Sequence, residues 1–123
     1  MKEKTNKRLK EIIKRISIEL KKFGISPKRE GYWFLKEGII IYLTEKNYSL
    51  KITKDIYPKL SVKYNKTISA IEKAMRTSIE KGWTNCDLEY ANEIFGNIIP
   101  YDKDHPTNYE FIKTISEHII LEL

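Results

Sequence analysis

The chain has a single cysteine, Cys86, among its 123 residues. One thiol excludes an internal disulfide framework and fits a reducing compartment. Long apolar runs are missing too. The longest is Ile39 to Leu43, far short of a membrane span. No apolar stretch precedes a cleavage site at the N-terminus, so no secretory signal is expected and the expected location is cytoplasmic. The sequons at Asn47 and Asn65 are then chance matches. Also absent are a glycine-rich phosphate loop, a nucleophile elbow and a paired metal motif. These absences speak against an enzyme, and no cofactor or metal is expected. Asp102, Asp104 and His105 stand close together beside Pro106 and read as a polar loop rather than a metal site. His118 reads as a surface or packing residue of the last helix. Trp33 and Trp83 are expected at the core or its rim.

What is present is positive charge, unevenly spread. Residues 1–30 hold 11 Lys/Arg against 4 Glu, residues 31–83 hold 10 against 5 acidic residues, and residues 84–123 hold 2 against 8. The basic first two thirds and acidic last third would orient the molecule in the field of a polyanion. A lysine-rich solvated surface alone would look similar.

At this length the chain is expected to be one domain, residues 1–123, with a core of its own. There is no repeat, low-complexity segment or long linker. Leu9, Ile12, Ile13, Ile16, Leu20 and Phe23 recur at helical spacing, and Gly24 and Pro27 close that helix near residue 23. Residues 31–56 are ambiguous. Their Ile, Tyr and Thr content suits two strands around a turn, while Tyr32, Leu35, Ile39, Tyr42 and Leu43 make a helical face. A short helix near Leu88 to Phe95 ends at Gly96. A capping box, Thr107-Asn-Tyr-Glu110, starts the last helix, whose inner face is Phe111, Ile115 and Ile119. Everything outside that ambiguous segment reads as helix, which favours an all-α, compact chain.

Residues 56–83 have the spacing of a helix-turn-helix. Leu60 anchors the first helix, the small Ser61 allows close approach, and Tyr64 closes it. Asn65 occupies the turn, where a left-handed backbone is needed and Asn tolerates it. Thr67 is the N-cap of the second helix. Ile68, Ile71, Met75, Ile79 and Trp83 form its inward stripe. Ser69, Glu72, Lys73 and Arg76 then face outward from its early turns, where a recognition helix reads base edges. Arg and Lys can bond guanine acceptors, and Glu can accept from the cytosine amino group. Lys59, Lys63, Lys66 and Thr67 are placed to meet the DNA backbone and fix register. The plainer alternative is an exposed helix in which Glu72 and Arg76, four apart, form only a surface ion pair.

The stretches "GYWFLKEGIIIYL", "ITKDIYPKLSVKYNKTISAIEKAMRTSIEKGW", "IFG" and "PTNYEFI" occur in an order and spacing that resemble the C-terminal DNA-binding domain of the master response regulator of endospore formation. The resemblance runs from about residue 9 to residue 121. It implies a six-helix bundle, and so a helix rather than strands over residues 31–43. It also implies binding to a short box resembling TGTCGAA, often as head-to-tail tandem copies. The receiver domain of that family has no counterpart in these residues.

Position by position, Ser69, Glu72 and Arg76 are the residue types of the family's reading helix. Lys73 stands where Arg is usual, keeping charge but losing the bidentate fork. Ala70 replaces another Arg, Thr77 a His, and Glu30 a Lys. Family members engage the RNA polymerase sigma subunit through a surface reading Ser-Arg-Gly-Asn, where this chain has Thr84, Asn85, Cys86 and Asp87. The missing Arg makes three outcomes distinct: an activator, a competitor that occupies boxes without activating, and a protein-interaction module that kept only the fold.

Overall fold

The computed structural model describes residues 2–45, 50–96, 99 and 104–123. Among the described residues, six α-helices run in order: α1 Lys2–Lys22, α2 Glu30–Thr44, α3 Tyr57–Tyr64, α4 Ile68–Asn85, α5 Leu88–Phe95 and α6 Asn108–Glu122. A π-helical turn, Ile52–Ile56, leads directly into α3. Among the described residues there is no strand, so the ambiguous segment is helical over α2. Residues 46–49 of that segment, and with them the sequon at Asn47, lie outside the described residues.

α2 occupies the middle of the bundle and packs against α1, α3, α4 and α6. That position explains why its sequence admits strands as well as a helix. A helix covered on many sides carries apolar residues all round and loses the one-sided pattern of an amphipathic helix. Its start passes very close to α4. A Cβ at Gly31 would collide with Ser78 Oγ and the Ala74 carbonyl oxygen, and Ser78 is itself buried there.

α1 stops where its sequence says it must. Gly24 has φ +71°, its N–H donates to the Lys21 carbonyl, and the Ile25 N–H donates to the Leu20 carbonyl. This pair of bonds is the Schellman closure, with Ile25 buried as its apolar contact. Beside it Phe23 stacks on Trp83 at 5.2 Å and meets Phe95 edge-on at 5.3 Å. Phe95 stacks on Phe111 at 5.8 Å. These rings clamp the ends of α1 and α4 to α5 and α6. Trp33, by contrast, is a rim residue whose indole donates to the Pro27 carbonyl at 2.9 Å.

The start of α6 is capped by Thr107, whose hydroxyl accepts the Glu110 N–H. That is half of the expected capping box. Among the described residues, Glu110 Oε2 has no partner.

Candidate nucleic-acid interface

The α3–turn–α4 unit is fixed by local chemistry. α3 begins at Tyr57, one residue later than the spacing suggested, with Pro58 in its first turn, where a missing N–H costs nothing. Asn65 adopts φ 51°, ψ 50°, the left-handed conformation expected of it. Ser61, expected only to be small, also ties the turn. Its carbonyl accepts the Lys66 N–H at 3.2 Å, and its hydroxyl donates to the Lys66 carbonyl at 2.6 Å. Thr67 Oγ1 then accepts the Ala70 N–H at 3.1 Å, capping α4.

Ile71, Met75, Ile79 and Trp83 of α4 are buried. Ile68 is not: it remains 43% exposed. The expectation that it points into the domain is corrected: Ile68 is the first residue of α4 and stands at the open end of the stripe. Ser69, Lys73 and Arg76 are exposed and Glu72 is half-buried. The Arg76 guanidinium donates to Glu72 Oε1 at 2.6 Å. Both readings of that pair are therefore present in one place, a surface ion pair on the face that carries the candidate base readers.

Lys59, Lys63 and Lys66 line the flank formed by α3 and the turn, and each is partnered. Lys59 pairs with Glu45, Lys63 with Glu37 at 2.5 Å, and Lys66 with Glu30 at 2.8 Å. The Glu37 hydrogen bond strengthens the hold of Lys63 on its proton. Beside Ala70 an open cleft of about 430 Å³ runs between the start of α2 and α4, walled by Arg29, Glu30, Lys73 and Thr77. The short side chain at position 70 leaves that space unfilled.

The far end of α4 is arranged differently. Thr84 Oγ1 and Asn85 Nδ2 both donate to the Lys81 carbonyl, at 2.8 and 3.1 Å. Asp87 caps α5 by accepting the Glu89 and Tyr90 N–H groups. Burial pushes the Cys86 thiol up, away from thiolate chemistry.

Two links between helices made by buried polar residues escaped the sequence reading. Asn108 Nδ2 donates to Tyr57 Oη and to the Glu72 carbonyl, each at 3.0 Å. It thereby fastens the starts of α3 and α6 to α4 at the level of its outward face. Burial raises the Tyr57 phenol, with the Asn108 bond opposing. The signal lay in the Thr107-Asn-Tyr-Glu stretch, which in sequence reads only as a capping box. His118 lies 3.5 Å from Tyr90 Oη, and the Tyr90 hydroxyl bonds the buried Glu19 at 2.7 Å, joining α1, α5 and α6. Asp102 lies outside the described residues. Among those described, no three His, Cys, Asp or Glu are grouped to hold a metal, and no helix is long and apolar enough to cross a membrane.

A helical bundle that turns one capped helix and a row of lysines outward has the build of a DNA-binding effector domain from a transcription regulator. The family described as "Sporulation initiation factor Spo0A C terminal" matches residues 16–119. The chain belongs to that family, whose members are DNA-binding regulator domains of sporulation rather than enzymes.

Proposed function

We propose that residues 1–123 act as one effector domain that reads a TGTCGAA-like box in the major groove through a helix-turn-helix at about 56–83. The observation carrying this reading is the division of α4 into a buried stripe and an outward stripe of Ser69, Glu72, Lys73 and Arg76 on its first three turns. Arg76 and Lys73 reach guanine, Glu72 accepts from cytosine, and Ser69 bonds either kind of base. Lys59, Lys63, Lys66 and Thr67 hold the phosphates and set register. Ala70, with the open cleft beside it, forgoes one guanine contact, which is worth about 1–3 kcal/mol of discrimination. The preferred box is therefore related to the family's but read with less stringency. Copies bind head to tail on tandem boxes, in the cytoplasm on the nucleoid.

Titration of the chain on boxed and scrambled duplexes at two salt concentrations tests this. Boxed DNA should bind more tightly at both, and equal affinity everywhere would leave only electrostatic attraction. Arg76→Ala should erase most of the preference. Lys63→Ala should weaken all duplexes alike and reduce the salt slope by about one.

A second reading concerns the outcome of binding. Thr84, Asn85 and Asp87, the residues facing a sigma subunit in this reading, spend their side chains on local caps. This favours a competitor that occupies boxes without recruiting polymerase, over an activator. A promoter reporter separates the two: transcription that rises with this chain would remove the competitor. A chain that ignores duplex DNA and captures a protein through the acidic α5–α6 side would instead be an interaction module.

A further inference from the structure

Every lysine assigned to phosphate on α3 and its turn already holds a carboxylate, and all three carboxylates come from one stretch of chain. Glu30 begins α2, Glu37 lies two turns on, and Glu45 follows its last residue. Their partners run in the opposite order: Lys66 for Glu30, Lys63 for Glu37, Lys59 for Glu45. That reversed register is what antiparallel neighbours produce, so the three rungs form one ladder between α2 and the α3 flank. Arg76 is likewise held, by Glu72. Among the described residues, Lys73 alone of these cations has no carboxylate partner. The carboxylates are not buried structural charges. Their side chains are 62%, 27% and 36% exposed, so solvent and a polyanion reach the same ammonium groups.

We propose that Glu30, Glu37 and Glu45 are internal counter-ions that DNA phosphates must displace, and that they set the affinity of this domain for any duplex. The proposal rests on the phosphate role given above to Lys59, Lys63 and Lys66. Binding is then an exchange: each ammonium leaves a carboxylate for a phosphate, and the freed carboxylate faces the duplex. Non-specific complexes depend on phosphate contacts alone, so the ladder holds them weak in absolute terms. Discrimination is left to the outward residues of α4.

The test uses the full chain on boxed and scrambled duplexes, with Glu30→Gln, Glu37→Gln, Glu45→Gln and the triple variant. Glutamine keeps the shape and removes the charge, and thermal melting checks that each variant folds. Each single change should tighten binding to both duplexes by up to about fivefold, the scale of one exposed ion pair. The triple change should exceed any single one while the boxed-to-scrambled ratio stays put. In a Lys63→Gln background the gain from Glu37→Gln should vanish, because its partner is gone. If that gain persists, or if Glu117→Gln, at an exposed position of α6, tightens binding equally, plain long-range repulsion replaces the ladder. Weaker binding in the Gln variants would also overturn it, since the carboxylates would then be positioning the lysines for phosphate. If Lys63→Gln alone leaves affinity unchanged, the phosphate role itself has failed, a result distinct from failure of the exchange.

Discussion

Ile68 and Ile71 are three residues apart on one helix and have opposite fates. Ile71 is fully buried and Ile68 is 43% exposed. Ile71→Ala should therefore cost about 2–5 kcal/mol, as buried aliphatic truncations do. Ile68→Ala should stay within about 1 kcal/mol, since surface changes cost little. Chemical denaturation of the two variants checks this, and equal losses would mean that Ile68 is covered after all. The same pair marks where residue spacing stops being informative. Periodicity says which side of a helix a residue occupies, and it says nothing of how far along that side the neighbouring elements reach. Signals that act within a few residues were legible by contrast: Asn65 in the turn, Thr67 and Thr107 as caps, Gly24 as a stop. Each answers to the backbone beside it.

At the scale of elements, the contact between α2 and α4 governs where the outward helix sits. Gly31→Ala in an uncrowded helix would stabilise by about 0.5–1 kcal/mol. Here the new methyl group meets Ser78 and the Ala74 carbonyl, so the sign reverses, with a loss of about 1–3 kcal/mol from overpacking. A melting curve measures it. α1, α5 and α6 are joined by the Tyr90–Glu19 bond, and here pH enters. Burial, followed by the bond to Glu19 and its charge, raises the Tyr90 phenol well above its ordinary value of 10.0. The folded state thus keeps a proton that the unfolded chain releases above about pH 10. The contribution is complete below that pH and is lost as pH climbs toward the folded value. Melting temperature should fall above pH 10, and less steeply in Tyr90→Phe. Unchanged steepness would place the alkaline loss elsewhere, for instance with Tyr42, Tyr57 and Tyr64, whose phenols burial also raises. None of these links was legible in the sequence. Tyr90 and Glu19 are 71 positions apart, Asn108 and Tyr57 are 51 apart, and long-range polar pairs leave no periodic trace.

The whole molecule has its charge sorted, with the lysine-rich α3 flank in the basic two thirds of the sequence and the acidic residues of α5 and α6 in the last third. The sequence count overstates how much of that positive charge is free, because it cannot see Glu30, Glu37 and Glu45 lying against the lysines. α6 spans the bundle. Its first residue, Asn108, is bonded to Glu72 on the outward helix, while near its far end Glu122 pairs with Arg15 of α1. Fifteen helical residues separate these two ends by about 22 Å. A surface linker or fluorophore attached at Leu123 would therefore stand behind the domain, leaving α4 open to a duplex in solution, and such a label would report on DNA docking through rotation of the whole body rather than through contact.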